Sequence, residues 1–223
     1  MKAMLLAAGR GNRLKPWTDK MPKPLLPVAG KPLIVHHLER LAAAGIKEIV
    51  INLSYLGEQI EQLLSDGNQF GVHIQYIKEN PALETGGGIF NALPLLGDDP
   101  FLVVNADIYT DYPFAKIPQK IAALGHIILV NNPAHNLKGD YHLTAAHKIT
   151  QDPTIKYTFS GIGIYTAQLF ANCSPGIFRL PTVFEEAIKT QQLSGEIYQG
   201  LWCDVGTIER WNSLETVIKQ ETQ

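Results

Sequence analysis

Residues 2–25 read KAMLLAAGRGNRLKPWTDKMPKPL, in which a short apolar run passes directly into a loop rich in glycine and basic residues. The apolar run, Lys2–Ala8, has the length and composition of a strand that is buried on both faces. Gly9 and Gly11 follow it, and a glycine backbone can approach a phosphate group closely. Parallel sheets bind ligands in the loops beyond their strand ends, so this loop is the first candidate for a binding site.

The rest of the chain alternates short apolar runs with helical patterns. The further predicted strands are Glu48–Leu53, His73–Ile77, Pro100–Asp107, His126–Asn131 and Tyr157–Tyr165, and the predicted helices are Pro32–Ala44, Leu56–Leu64, Thr85–Leu96, Pro181–Gln191 and Thr207–Gln220. Alternation at this pitch predicts an α/β fold with a Rossmann-like, mainly parallel sheet flanked by helices. Residues 133–156 are more polar and less regular, so we expect a small subsidiary lobe there within a single domain of residues 1–223.

Composition excludes several classes of protein. The 19 Lys and Arg residues against 21 Asp and Glu give a net charge of −2, which argues against a general nucleic-acid binder. No apolar run reaches the roughly 18–20 residues of a membrane span, and the N-terminus lacks the pattern of a signal peptide. Two cysteines and no HExxH or Cys/His cluster argue against a disulfide framework or a zinc site. We therefore expect a cytoplasmic protein without a membrane or nucleic-acid partner.

Positive charge is concentrated beside the glycine loop. Only Asp19 opposes the six basic residues between positions 10 and 31, which are Arg10, Arg13, Lys15, Lys20, Lys23 and Lys31. Such a loop suits a polyphosphate, and Lys23, between two prolines, is expected to be an exposed cation. A dinucleotide fingerprint would need a third glycine near Leu14, and a P-loop would need Ser or Thr where Pro32 stands. A solvated basic loop remains the alternative.

Three further patterns suggest chemistry at the strand ends. Asp107 and Asp204 each end a strand-like stretch, and two such carboxylates could share a hard cation that bridges substrate phosphates. The alternative for each acid is a helix or turn cap. The run Gly86–Gly88 opens a predicted helix, where it either admits a flat ring or a phosphate or packs tightly against the first strand.

On these residues together, the chain resembles the sugar-1-phosphate nucleotidyltransferase family. The family signature G-x-G-x-R-[LM]-x-P-x-T…P-K-P is matched by residues 9–18 and 22–24, and W-x-D-x-G-T is matched by residues 202–207. The stretches LETGGGIFNALPLLGDDPFLVVNADIYTD, NNPAHNLKGDYHL and FSGIGIY are similar to short bacterial members of the family. Those members act in peptidoglycan recycling, where they transfer UMP from UTP to N-acetylmuramate 1-phosphate.

The resemblance implies a role for each matching residue. The catalytic residues would be Arg13 and Lys23, and Asp107 and Asp204 would hold Mg²⁺. The nucleotide would be bound by Leu6, Ala8, Gly9, Gly11, Asn12, Arg13, Lys23, Glu79 and Gly86. The sugar phosphate would contact Asn105, Asp140 and Gly161, although turn hydrogen bonding is the alternative for Asn105 and Asp140. Because N-acetylmuramate carries a lactyl carboxylate, we expect a cation or backbone donors beside the sugar. Arg179 and Lys138 are the candidate cations, and the alternative for each is a solvated surface cation.

The sequence leaves other functions open. Within the family, the alternatives are a mannose-1-phosphate guanylyltransferase and a glucose-1-phosphate thymidylyltransferase. Outside catalysis, the same fold could serve as a nucleotide-sugar-sensing subunit, since a fold alone does not establish activity. A monomer or a weak homodimer is expected.

Overall fold

The computed structural model describes residues 1–221, and none of the helices in that range is long and apolar enough to cross a membrane. The strands are β1 (Ala3–Leu6), β2 (Pro27–Val28), β3 (Lys31–Pro32), β4 (Glu48–Leu53), β5 (His73–Lys78), β6 (Phe101–Asn105), β7 (Ile108–Thr110), β8 (Gly125–Val130), β9 (His142–Leu143), β10 (Ile149–Thr150), β11 (Thr158–Tyr165), β12 (Leu193–Tyr198) and β13 (Trp202–Asp204). The α-helices are α1 (Leu33–Ala43), α2 (Gly57–Leu64), α3 (Glu84–Leu96), α4 (Leu180–Lys189) and α5 (Ile208–Glu221).

Seven strands form the central sheet in the order β12-β8-β11-β6-β1-β4-β5. All its pairings are parallel except those of β11, which runs antiparallel to both β6 and β8. The predicted fold class, a mainly parallel sheet flanked by helices, is confirmed. The chain leaves β1 toward β4 and later returns to its other side as β6, so the order reverses at β1. A crevice opens at the carboxyl ends of the strands at such a switch point.

The apolar residues of β1 explain why helices cover both faces of the sheet. Ala3 and Leu5 pack in a cluster with residues of α1 and α2, whereas Met4 points to the other face and packs with residues of α3 and α4. Successive strand side chains point to opposite faces, so a continuous apolar run requires a cover on each side. The helices on the two faces therefore explain why the apolar run of β1 is continuous.

The structure also contains strands that the sequence pattern did not reveal. β12 was not predicted; it lies at the sheet edge, where its central residues Ser194, Gly195 and Glu196 do not need to be apolar. Within residues 133–156, the expected lobe contains the β9–β10 hairpin, and a bridge from Lys148 to Ser194 joins it to β12. Short strands with few apolar residues lack the periodicity on which prediction depends.

Candidate active site

A cleft of about 760 Å³ lies at the carboxyl ends of β1, β4 and β6, where the strand order reverses. Its walls come from the loops that follow these strands and from the beginning of α3. The lining residues are Leu6, Ala7, Ala8, Gly9, Arg10, Gly11, Asn12, Arg13, Lys23, Pro24, Asn52, Ser54, Tyr55, Ala82, Glu84, Thr85, Asn105, Asp107, Arg179 and Gly206.

The loop after β1 is held by its own hydrogen bonds. Gly11 has a φ of 70°, and its carbonyl oxygen accepts hydrogen bonds from the Leu14 amide and the Thr18 hydroxyl, both at 2.9 Å. A Cβ on Gly11 would lie 3.0 Å from the Thr18 methyl group, so conformation and space both favour glycine here. A Cβ on Gly9 would have no protein atom within 4 Å. The backbone at Gly9 therefore leaves room for a ligand to approach.

The basic residues of this loop divide into two groups. Arg10, Arg13 and Lys23 line the cleft, whereas the other three lie outside its lining. The Arg10 guanidinium lies 4.1 Å from the centre of the Tyr55 ring, and its Nε donates to Asn12 Oδ1 at 3.1 Å. Within residues 1–221, the Arg13 guanidinium makes no hydrogen bond or ion pair with the protein. Arg13 is thus available to an anionic ligand.

The expectation that Lys23 is an exposed cation was wrong. Its exposed fraction is 6%, and its Nζ lies 2.5 Å from Asp107 Oδ2. A short 3₁₀ helix, Lys23–Leu25, carries the side chain beneath the glycine loop, where its Cβ is 3.2 Å from the position of a Cβ on Gly11. The ammonium group therefore reaches the cleft from the side of the glycine loop that faces the protein interior.

A two-stranded ladder brings the predicted metal-binding acids together. β13 runs antiparallel to β7, and the Val205 amide donates to the Asp107 carbonyl oxygen at 2.9 Å. Asp204 Oδ2 accepts a hydrogen bond from Arg210 Nη1 at 2.5 Å. Asp204 Oδ1 is buried and makes no hydrogen bond, although His135 Nε2 is 3.0 Å away. No group of three or more His, Cys, Asp or Glu residues suited to a metal occurs within the described residues.

Glu79 supports the wall of the cleft but does not line it. The side chain is buried, and its two carboxylate oxygens accept hydrogen bonds from Asn52 Nδ2 at 2.8 Å and from the Leu83 amide at 2.9 Å. Asn52 Oδ1 in turn accepts from the Ala7 amide at 2.9 Å. This network connects the end of β1 to the segment that precedes α3.

The glycine run at the start of α3 packs against protein. A Cβ on Gly86 would lie 2.6 Å from the Phe178 ring, and one on Gly87 would overlap the Gly176 carbonyl oxygen. The Phe178 carbonyl oxygen accepts a hydrogen bond from the Gly87 amide at 3.0 Å. The run thus serves close packing, with the segment before α4 as its main neighbour. Gly86 is absent from the cleft lining, where Glu84 and Thr85 stand instead.

The predicted sugar-binding residues do not all reach the cleft. Asn105 lines it, and Gly161, with a φ of 81°, packs so closely that a Cβ there would lie 2.6 Å from Asn105 Nδ2. Asp140 lies outside the lining, and its carboxylate accepts hydrogen bonds from the Phe159 amide at 2.8 Å and from an Asn136 amide nitrogen. Of the two candidate lactyl-binding cations, Arg179 lines the cleft.

Residues 2–141 match the family model described as Nucleotidyl transferase. The chain belongs to the nucleotidyltransferase family. It is 49% identical to the N-acetylmuramate alpha-1-phosphate uridylyltransferase of Neisseria meningitidis serogroup B, over 94% of this chain and 95% of that protein. It is 31% identical to the protein of the same name from Caulobacter vibrioides, over 92% and 91% of the two chains.

A solved structure supports the fold of this nucleotidyltransferase. A putative glucose-1-phosphate thymidylyltransferase from Bacillus anthracis, in complex with a sucrose, superposes with a TM-score of 0.87 over 97% of this chain and 94% of that one. Sequence identity between the two is 22%, so the likeness concerns the fold alone.

Sequence reasoning missed several neighbours of the predicted site residues of this nucleotidyltransferase. His135 approaches Asp204 from the loop after β8, and Arg210 reaches it from α5. Tyr55 and Asn52 line the cleft from the end of β4. His135 lies within the stretch NNPAHNLKGDYHL, and Arg210 lies shortly after the motif W-x-D-x-G-T, but only the folded chain brings them to one carboxylate.

Proposed function

We propose that this nucleotidyltransferase transfers UMP from UTP to N-acetylmuramate 1-phosphate, giving UDP-N-acetylmuramate and pyrophosphate, in peptidoglycan recycling. The observation that carries the proposal is the 49% identity, over nearly the full length of both chains, to a protein named for that reaction. We further propose that residues 1–223 form one catalytic domain in the cytoplasm. The seven-stranded sheet, which draws strands from residue 3 to residue 198, supports the single domain.

The reaction needs little covalent help from the protein. A phosphate oxygen of the sugar phosphate attacks the α-phosphorus of UTP, and the bond from that phosphorus to the α–β bridging oxygen breaks. The bridging oxygen keeps the electron pair and leaves as part of pyrophosphate. Because the attacking oxygen is already anionic near neutral pH, a strong general base is unnecessary. The protein contributes orientation and neutralisation of charge.

The cations of the cleft fit these tasks. Arg13, which has no partner among the described protein residues, would bind the leaving pyrophosphate through its planar fork of donors. Lys23 also lines the cleft, with its ammonium next to Asp107, and would bind the α-phosphate and the incoming phosphate together. The backbone at Leu6, Ala8 and Gly9 lines the cleft and would contact the nucleotide, with Gly11 and Asn12 beside its phosphates.

The two acids fit a divalent cation, and we propose Mg²⁺. Asp204 Oδ1 is buried without a hydrogen bond, and its one polar neighbour among the described residues is His135 Nε2 at 3.0 Å, so a cation would satisfy an oxygen that the protein leaves without a bond. Asp107 stands on the neighbouring strand end, and hard carboxylate oxygens are suitable ligands for Mg²⁺. When bound, the cation would neutralise phosphate charge, and substrate oxygens would supply ligands that the protein lacks.

A pyrophosphate-release assay tests the proposed function. The purified protein is incubated with Mg²⁺, each of four nucleoside triphosphates, and N-acetylmuramate, N-acetylglucosamine, mannose or glucose 1-phosphate. We expect the highest kcat/KM with UTP and N-acetylmuramate 1-phosphate. Preference for GTP with mannose 1-phosphate or for dTTP with glucose 1-phosphate would instead support one of the family alternatives. Nucleotide binding without turnover on any pair would support a sensing subunit.

The assigned metal ligands give a second test. We expect Asp107→Asn and Asp204→Asn each to raise the Mg²⁺ concentration for half-maximal turnover by tenfold or more, as estimated for a lost charged ligand, on the order of 1.4 kcal/mol or above. Asp99→Asn, which removes a carboxylate from the exposed turn after α3, is the matched control. Magnesium titrations of both variants that overlay the wild type would contradict the shared-cation site.

A further inference from the structure

Arg210 is bonded to Asp204, the last residue of β13; neither residue belongs to the cleft lining, which Gly206 reaches. Arg210 Nη1 donates to Asp204 Oδ2 at 2.5 Å, and the side chains are only 16% and 23% exposed. Buried charge-assisted hydrogen bonds are strong and directional, because water competes little for either group. The pair therefore fixes the orientation of the carboxylate.

The adjoining motif is shaped around this guanidinium. A Cβ on Gly206 would overlap Arg210 Nη2 and would lie 3.1 Å from Asp204 Oδ2. Glycine at this position thus leaves the space through which the guanidinium reaches the carboxylate. The distance between Asp204 and Arg210 in the chain is short, since α5 begins at Ile208 and places Arg210 in its first turn. The end of β13 with Asp204, the glycine at position 206 and the first turn of α5 with Arg210 therefore form one local structural unit.

The two oxygens of Asp204 consequently differ. Oδ2 is engaged by Arg210, whereas Oδ1 is buried and accepts no hydrogen bond, with His135 Nε2 3.0 Å away. A carboxylate that could rotate freely would present either oxygen. With Oδ2 held by the guanidinium, Oδ1 is the oxygen that remains for a cation, which would take the place of the His135 contact. Hydrogen-bonded partners of metal ligands fix the ligand orientation in this way, and their loss commonly weakens metal binding by about 10- to 100-fold.

We propose that Arg210 is a positioning residue that holds Asp204 with Oδ1 available to the divalent cation. The proposal rests on the proposed function, since it requires Asp204 to be a metal ligand. Arg210 itself repels the cation, so its effect on affinity is a balance between orientation and charge. In our proposal orientation dominates, because an Asp204 side chain without its partner can turn away from the cleft or bind other donors.

The test measures Mn²⁺ binding directly. Free Mn²⁺ is counted by electron paramagnetic resonance in titrations of the protein with UTP, with a protein-free UTP titration subtracted. We expect Arg210→Gln to raise the Mn²⁺ dissociation constant by about tenfold, and Arg210→Lys to raise it less, because lysine keeps one charged donor. Lys219→Gln, which removes an exposed cation from the same helix, should match the wild type. UTP affinity measured in EDTA should be unchanged in all three variants.

Each other result has a defined meaning. An unchanged or lower Mn²⁺ dissociation constant in both Arg210 variants would overturn the positioning role, and a lower one would show that charge repulsion dominates. A fall in melting temperature together with weaker UTP binding in EDTA, but with unchanged Mn²⁺ affinity, would show a purely structural role. Asp204→Asn separates the two proposals: if it leaves Mn²⁺ binding unaltered, the metal site itself fails, whatever Arg210 does.

Discussion

Lys23 joins the glycine loop to the end of β6, and its burial gives it a role in packing besides the proposed role in catalysis. The ammonium lies 2.5 Å from Asp107, while the Cβ of the same side chain lies beneath Gly11. A cation held in this way is already desolvated and oriented, so it needs little reorganisation when two phosphates approach it. The same burial means that a substitution here changes packing as well as charge.

We therefore expect Lys23→Met to separate the two roles better than Lys23→Ala. Methionine keeps an unbranched stem beneath the loop but removes the charge, so turnover should fall by about 10²–10³, as for the loss of a group that stabilises transition-state charge. The free energy of unfolding should fall by only about 1 kcal/mol. The loss is small because the Asp107 side chain is 39% exposed, so solvent screens the carboxylate that loses its partner. Steady-state kinetics and urea unfolding measure the two effects. Near wild-type turnover would remove Lys23 from the mechanism.

Gly9 and Gly11 provide a matched pair of substitutions in the same loop. Gly11→Ala forces a side chain into a positive-φ conformation against Thr18 and Lys23, so we expect a loss of about 1–3 kcal/mol in unfolding free energy. Gly9→Ala meets no protein atom within 4 Å and should fold as stably as the wild type. If UTP occupies that space, Gly9→Ala should weaken UTP binding at least tenfold by calorimetry. Unchanged UTP affinity would mean that the nucleotide lies elsewhere.

At the scale of secondary structure, α1 is connected to the strand that follows Asp107. His37, on α1, is fully buried, and its Nε2 lies 2.7 Å from the Ile108 carbonyl oxygen, to which it donates. Burial is the main cause that lowers the pKa of His37 to about 4. The imidazole is thus neutral in the folded protein at neutral pH and helps to hold β7 in place.

This burial predicts a pH dependence of stability. Between pH 6.5, the ordinary pKa of histidine, and about pH 4, the unfolded chain binds a proton at His37 that the folded chain does not bind. The free energy of unfolding should therefore fall as the pH falls through this window, by about 3 kcal/mol in total. Urea unfolding at several pH values should show a smaller decrease for His37→Gln. His73→Gln, which removes an exposed imidazole, should keep the wild-type profile; equal profiles for all three proteins would contradict a neutral buried His37.

The strands that could be predicted are those that are buried on both faces. β1, β4 and β6 are apolar on both faces, and this pattern is visible in the sequence itself. β12 could not be predicted, because it is an edge strand with Gly195 at its centre, and its sequence does not alternate apolar and polar residues. The glycine run of α3 was ambiguous for a related reason: whether a glycine serves a ligand or a neighbouring segment depends on residues about 90 positions away, such as Phe178.

At the scale of the whole molecule, motif order predicted which loops meet but not the contacts within the site. Asp107 and Asp204 were predicted to share a site, and the β7–β13 ladder brings their strand ends together. His135 was not predictable as a partner of Asp204, since it comes from a distant loop whose placement depends on tertiary packing. Arg210 is near Asp204 in the chain, but its direction depends on how α5 leaves β13. Asp140 was assigned by resemblance, yet its carboxylate lies outside the cleft lining and accepts hydrogen bonds from Asn136 in its own loop and from the Phe159 amide of β11. The Asn136 bond supports the turn interpretation that the sequence left open.

The distribution of cations over the cleft favours one residue for the lactyl carboxylate. Arg10 is packed over an aromatic ring, Lys23 is paired with a carboxylate, and Arg13 is assigned to pyrophosphate. Arg179 lines the same cleft with a side chain that is 77% exposed, and its Nε is 3.9 Å from a carboxylate oxygen of Glu84, a distance too long for a strong bond. Its guanidinium can therefore turn toward a ligand at little cost.

We predict that Arg179→Ala weakens selection of the lactyl group. A lost charge-assisted contact is worth about 1.5–3 kcal/mol, so kcat/KM for N-acetylmuramate 1-phosphate should fall roughly 10- to 100-fold relative to N-acetylglucosamine 1-phosphate. Lys138→Ala is the matched control, because Lys138 is exposed and lies outside the cleft lining, and it should leave the ratio unchanged. The KM for UTP should hardly move in either variant. Equal losses for both sugars in Arg179→Ala would assign the carboxylate to backbone amides, while a changed ratio in Lys138→Ala alone would assign it to the loop after β8.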